Sequence, residues 1–481
     1  MRKSISTGSR SSSRACRIQA ETLVVASLVA LITGCLESTG ALPTRRNDMR
    51  APTPDAGVER STFALVAASP PGPAAVVPDE LSSKVPSDSY WAAVADLDLK
   101  GSLKSARNDP QILFAQAVAF LAGGDYGSAE SAFVATRTQA TDLPVAVASQ
   151  TMLAITLMYQ HKLAALADLS SSSQLGLVDR QNVSGLERWG HAFAGLDTQV
   201  VTFALEPVSI PLGATPVGTP TLRVRINGKE FEFWLDTGSS LSVLSSDVAA
   251  EAGLSIIGQE TMNVGTFAGI APVRPAALKR LEIGPIVIAN TAVIVMDADL
   301  MRVRADANGV PLGGMRVDGI IGWDIIRQFD VSLDYDRRTI TFRRPEALGT
   351  RGTSLQNLTW IGKPLVEVHT ALGGTMHFTL DTGSQTSFVN ASIVEMVGVR
   401  TNGFSGRVFG IGKTEGRAAR IVPFMHLDVG GQSVLMKGLI VYAPSCSGIL
   451  NCDGILGSDI AQFGRLRIDA TNGIFSIGLA G

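Results

Sequence analysis

Phe233-Trp234-Leu235-Asp236-Thr237-Gly238-Ser239 is repeated, 145 residues on, as Phe378-Thr379-Leu380-Asp381-Thr382-Gly383-Ser384. Each copy is preceded by a hairpin signature. Val224-Arg225-Ile226 and Phe231-Glu232-Phe233 flank Asn227-Gly228-Lys229-Glu230, and Val366-Glu367-Val368 and Met376-His377-Phe378 flank Gly373-Gly374. A glycine-centred loop follows each Asp after 29 residues, at Gly265 and Gly410. Leu281-x-Ile283-Gly284 then corresponds to Leu427-x-Val429-Gly430, and Val293-Ile294-Val295 to Leu439-Ile440-Val441. Both copies close on Asp-Gly, two apolar residues and Gly: Asp318-Gly319-Ile320-Ile321-Gly322 and Asp453-Gly454-Ile455-Leu456-Gly457. Asp324 and Asp459 follow where a helix N-cap is expected. Short alternating runs with Asn-Gly and Gly-Gly turns make this half of the chain β structure, duplicated in tandem.

One Asp-Thr-Gly triplet arises by chance roughly 0.1–0.2 times in a chain of this length. Two in matched settings form a specific signal. The pattern resembles the retropepsin-like aspartic proteases, in the bacterial form with two fused lobes, over the stretch from near Val208 to the C-terminus. The resemblance implies an all-β bilobal domain, one Asp-Thr-Gly loop from each lobe meeting at a pseudo-twofold axis, and Asp236 and Asp381 as the catalytic pair. It also implies that Thr237 and Thr382 tie the loops together, that the hydroxyls of Ser239 and Ser384 bond the carboxylates, and that the apolar-apolar-Gly segments brace the loops from behind. The loops around Gly265 and Phe267, and around Gly410 and Ile411, become flap candidates over an extended peptide. Neither carries the Tyr of pepsin-like flaps.

The chemistry explains the duplication. Two carboxyls about 3 Å apart do not both ionise and share one proton. The ionised member takes a proton from water while the neutral member donates to the carbonyl oxygen, so the site needs one Asp from each copy. Gly238 and Gly383 are expected to let the backbone turn tightly behind each carboxylate. Serine hydroxyls on the carboxylates would favour the charged form and an acidic optimum. No cofactor or metal is expected; the partner is a peptide or protein substrate. The competing reading is a catalytically silent lipoprotein that binds peptides or a protein through its β domain and helices. A third pairs like lobes between chains in a homodimer.

The remaining sequence sets the context. Apolar residues make up 45% of the 481, enough for sizeable cores, and a net charge of −2 lacks the basic surplus of nucleic-acid binders. Five basic residues, from Arg2 to Arg17, precede the apolar run at 23–32, which fits an export signal rather than a membrane span. Leu31-Ile32-Thr33-Gly34-Cys35 resembles the lipobox of bacterial lipoproteins, implying lipid on Cys35 and, with Leu36 next, an anchor in the outer membrane facing the periplasm. Residues 1–34 are thus read as signal peptide and 35–86, rich in Pro, Ala and Ser, as a disordered tether of roughly 40 Å reach. Residues 87–200 read as a small helical domain, 205–345 as lobe one and 355–481 as lobe two.

Within the helical stretch, Ala115-x-Ala117-x-Ala119-Phe120 followed by Gly124-Asp125-Tyr126 and Ala129 resembles a tetratricopeptide helix pair, with Tyr159 and Ala164 as a second copy at offsets of 33 and 35. Three roles stay open there: a repeat that docks a protein partner, a helical domain packed on its neighbour, or an inhibitory pro-segment. Of four cysteines, Cys446 and Cys452 remain for an export-compartment disulfide. The five histidines form no His-Glu-x-x-His motif. Gly412-Lys413-Thr414 lacks the leading Gly of a phosphate loop, with Arg407 in its place.

Overall fold

The computed structural model describes residues 88–171, 188–216, 218–258, 261–266, 269–305, 311–346, 356–370, 374–398, 401–408, 417–441 and 450–478. The signal, the tether and Cys35 lie outside them. The chain folds as a small helical N-terminal region followed by two β-rich lobes.

Six helices open the described chain: α1 (Ser89–Ala95), α2 (Leu99–Ser105), α3 (Asp109–Ala122), α4 (Tyr126–Gln139), α5 (Leu143–Tyr159) and α6 (Leu163–Ala167). The first four begin where Asp88, Asp98, Asn108 and Asp125 accept a hydrogen bond from a backbone N–H in the first turn, which satisfies one of the orphan donors there. All six pair as three helix–turn–helix units with one turn design. Leu97, Gly124 and His161 each sit at positive φ (54°, 76° and 55°) between the members of a pair. The turn hydrogen bonds match as well: Asp98 to Ala93, Asp125 to Phe120 and Lys162 to Leu157. This corrects the repeat offsets. Gly124 corresponds to His161, 37 residues on, so Tyr126 opens one helix whereas Tyr159 ends another. Tyr90, Trp91, Phe114 and Phe133 pack edge-on or tilted to form the helical core.

Each lobe repeats one strand weave. In lobe one, β1 (Pro220–Ile226) and β2 (Lys229–Leu235) form a hairpin, turned at Asn227 and Gly228 with φ of 50° and 81°. Next come β3 (Val243–Ser245), β4 (Ile286–Met296) and β5 (Gly319–Ile321). β5 lies between β2 and β3, parallel to the former and antiparallel to the latter, and β3 runs parallel to β4. In lobe two, β6 (Lys363–His369), β7 (Thr375–Leu380), β8 (Phe388–Val389), β9 (Gln432–Val441) and β10 (Gly454–Leu456) pair in the same senses. The inserted strand keeps β2 from β3, and β7 from β8, so the intervening loop spans the end of β5 or β10. Close packing at this strand explains the Asp-Gly signature. A Cβ on Gly319 would lie 2.4 Å from the Phe233 ring, and one on Gly454 the same distance from Phe378.

The lobes join through a five-stranded antiparallel sheet in the order 208–211, 339–343, 330–334, 465–469, 474–478. At its centre Asp330–Asp334 of lobe one pairs with Arg465–Asp469 of lobe two, Ser332 facing Arg467. Val331, Leu333, Leu466 and Ile468 are fully buried there. Arg467 grips Asp330 with Nε and Nη2 at 2.9 and 3.1 Å, and Arg465 does so to Asp334 at 3.1 and 2.9 Å.

Candidate active site

The two Asp-Thr-Gly loops emerge at the ends of β2 and β7 and meet across the lobe interface. Thr237 N–H donates to Thr382 Oγ1 and Thr382 N–H to Thr237 Oγ1, both at 3.1 Å. Each hydroxyl in turn donates to the strand leading into the opposite loop: Thr237 to Leu380 O at 2.7 Å, Thr382 to Leu235 O at 2.6 Å. Both threonines are wholly buried, so the four bonds are made without competition from water. They require a β-hydroxyl on each side, which accounts for Thr in both copies.

Asp236 and Asp381 are half-buried and face one another's loops. A Cβ on Gly238 would lie 2.2 Å from Asp381 Cγ, and one on Gly383 would lie 2.3 Å from Asp236 Cγ. Neither glycine is among those at positive φ. The expected tight turn is present, Ser239 N–H donating to Asp236 O at 3.3 Å and Ser384 N–H to Asp381 O at 3.1 Å. Glycine is needed because the opposite carboxylate occupies the side-chain position, not for a positive φ.

Asp236 Oδ1 accepts from Gly238 N–H at 2.8 Å and Ser239 N–H at 3.2 Å, and Asp381 Oδ1 accepts from Ser384 N–H at 3.0 Å. The serine hydroxyls point elsewhere, to Leu241 O at 2.7 Å and Thr386 O at 2.9 Å. The expected carboxylate bond is therefore made by the backbone N–H, while the side chain closes its own loop. Burial, and then the negative charge of Asp381, push the Asp236 carboxyl well above the ordinary range, against the opposing pull of the Gly238 N–H and Lys363.

The apolar-apolar-Gly segments run behind the loops. Asp236 N–H donates to Ile321 O and Asp381 N–H to Leu456 O; Trp323 N–H donates to Ser239 O and Ser458 N–H to Ser384 O. A Cβ on Gly322 or Gly457 would strike the backbone of Leu241 or Thr386, at 2.5 and 2.6 Å. Asp324 and Asp459 are not N-caps. Gly322 and Gly457 hold that position, and the carboxylates accept instead from Ser242 Oγ at 2.9 Å and Ser387 Oγ at 2.6 Å. Sequence reasoning missed those two serines, although the duplication pairs them three residues after Ser239 and Ser384. Also unforeseen were Ser240 Oγ, which crosses to Gly362 O at 2.8 Å, and Lys363 beside it.

The flap candidates are partly described. Met262–Thr266 pairs antiparallel with Gly269–Ile283, Gly265 facing Ile270, and Asn402–Val408 pairs with Arg417–Val429. Phe267, Gly410 and Ile411 lie outside the described residues. Cys452 is buried and disulfide-bonded; Cys446 lies outside the described residues.

Residues 222–325, the greater part of lobe one, match the family model of aspartyl proteases. Among solved structures the chain is similar to a retropepsin-like aspartic protease from Rickettsia conorii, at 16% identity over 31% of this chain and 97% of that one, with a TM-score of 0.22. No curated protein matches the chain.

Proposed function

We propose that the chain is an aspartic endopeptidase that hydrolyses peptide bonds with a water activated between Asp236 and Asp381. The observation that carries this reading is the reciprocal threonine grip, which turns two half-buried carboxylates toward each other across the lobe interface. Further support comes from the aspartyl protease match over 222–325. In this mechanism Asp236 retains the shared proton and donates it to the carbonyl oxygen as water attacks. The partner carboxylate accepts the proton of that water. The tetrahedral intermediate then collapses as the leaving nitrogen is protonated from the pair. Backbone N–H groups fix the carboxylates, so little reorganisation accompanies the proton transfers.

The test is digestion of a peptide library with and without pepstatin. Pepstatin-sensitive cleavage is expected; a library left intact by folded wild-type protein at every pH from 3 to 8 would overturn the reading. The sequence also supports a lipid anchor at Cys35. Palmitate labelling that persists in Cys35→Ala would refute that part.

A further inference from the structure

The two dyad loops are braced differently. In lobe two the loop is braced from within the lobe, Ser458 Oγ donating to Thr382 O at 2.5 Å and Gln462 Nε2 turning back to Asp459 O at 2.9 Å. Among the described residues the helical region touches only the start of that segment, Asn451 N–H donating to Ala95 O at 2.8 Å. The duplication aligns these residues with Trp323 and Arg327 of lobe one. Trp323 has no hydroxyl to reach the corresponding carbonyl. It is fully buried instead, in the one-turn helix α7 (Trp323–Ile326) that follows β5.

What completes the lobe-one brace comes from the helical region. The Arg327 guanidinium donates from Nη2 to Tyr159 O at 2.8 Å and from Nη1 to Tyr126 Oη at 3.3 Å. Its Cζ lies 5.6, 5.0 and 5.3 Å from the ring centroids of Tyr126, Tyr159 and Trp360. Among the described residues it makes no close ion pair; its contacts are ring faces and two hydrogen bonds, and the buried Asp324 carboxylate attracts it from farther off. Trp360 packs edge-on against Tyr126, Tyr159 and Trp323, with centroids 5.2, 4.8 and 6.0 Å away. Both lobe-derived tryptophans lead straight to the Asp236 loop. Trp323 N–H donates to Ser239 O at 2.7 Å. Trp360 stands two residues before Gly362, whose carbonyl accepts from Ser240 Oγ.

We propose that the helical region is a fixed positioning element of the active site, holding the Asp236 loop through Arg327 and the Tyr126–Tyr159–Trp360 cage. It is neither a removable pro-segment nor an independent docking module. A pro-segment would release activity when its contact is broken, and a docking module would leave the loop unchanged. The cage instead does for lobe one what Ser458 does for lobe two.

The experiment compares Arg327→Met and the conservative Arg327→Lys with wild type, and lobe two's loop serves as an internal control. Hydrogen exchange at the Gly238 and Ser239 amides should quicken by on the order of ten-fold in Arg327→Met, while Gly383 and Ser384 hold their rates and Arg327→Lys recovers part of the protection. In the peptide assay kcat should fall by roughly ten-fold or more with KM little changed. Unaltered exchange in both loops, equal acceleration in both, or a rise in kcat would each overturn the inference. Should Arg327→Met not fold, Tyr126→Phe removes one hydrogen bond and keeps the ring, and is read in the same way. The kinetic arm rests on the protease reading. The exchange arm does not, so a wild type that cleaves nothing would sink that reading and leave exchange to decide this one.

Discussion

Lobe one and lobe two share a strand weave, a loop and a threonine grip, yet they are not interchangeable. The difference is sharpest where they touch. Lobe one brings Asp330, Ser332 and Asp334 to the central strand pair; lobe two brings Arg465, Arg467 and Asp469. With Ser332 and Arg467 as equivalent pivots, lobe one paired with itself would set Asp330 opposite Asp334 twice over, with no cation on those strands. Lobe two paired with itself would oppose Arg467 to Arg467. Only the mixed pair puts a guanidinium beside each buried Asp330 and Asp334 carboxylate. The Arg337 N–H, with Arg465 adding to it, holds the Asp334 carboxyl below its ordinary range. The duplicated halves have diverged by charge into complementary ones, which favours one chain supplying both halves of one site.

The largest effect expected tests that conclusion. Asp236→Asn and Asp381→Asn should each lower kcat by about 10²–10⁴-fold without unfolding the chain, since each removes half of a shared-proton pair. Mixing the two variants should restore nothing. Activity retained in both single variants would break the comparison in favour of like-with-like pairing, and activity regained on mixing would mean that unlike lobes of two chains pair in trans.

A smaller effect sharpens it. Arg467→Asp leaves Asp330 buried beside a second carboxylate and should cost about 1–3 kcal/mol in chemical denaturation, less than a fully buried pair because Arg467 is partly exposed. Adding Asp330→Arg should recover most of that loss. A double variant no more stable than Arg467→Asp would mean that charge does not set the pairing.

The pH dependence of stability separates the two aspartate loops from their serines. The folded chain holds a proton on Asp236 above the ordinary carboxylate range. It therefore binds more protons than the unfolded chain as pH rises through that range, and stability contributed at low pH is lost until Asp236 ionises. Asp236→Asn should flatten this fall in a thermal-melt series, and a slope as steep as wild type would contradict the assignment. The smallest effect belongs to Ser239→Ala with Ser384→Ala. Both hydroxyls serve carbonyls rather than carboxylates, so the acid limb of the activity profile should stay in place. An upward shift of that limb would restore the hydroxyl–carboxylate bond expected from sequence.

Much of the fold and the site is legible in the amino-acid sequence. The Asp-Thr-Gly repeat, the matched hairpins and the closing Asp-Gly segments announce themselves because close steric and hydrogen-bonding demands are met by few residue types. Thr for a reciprocal grip and Gly opposite a carboxylate or a phenyl ring are demands of that kind. Ser242 and Ser387 are recoverable from the same duplication. The helix-pair register is not legible from Tyr and Ala identities. The turn that defines the register asks only for positive φ, which Leu97, Gly124 and His161 all supply.

Sequence pattern alone thus establishes two lobes, the residue of each that carries the carboxylate, and a helical region ahead of them. The folded arrangement was needed to settle which donor reaches each carboxylate, why the loop glycines have no Cβ, and what stands behind the Asp236 loop. Those outcomes depend on groups brought together across 145 residues, as Thr237 and Thr382 are, or across 168, as Arg327 and Tyr159 are. A local pattern constrains the residues a turn or strand can use. It does not contain the distance between two chain segments that meet only when the core closes.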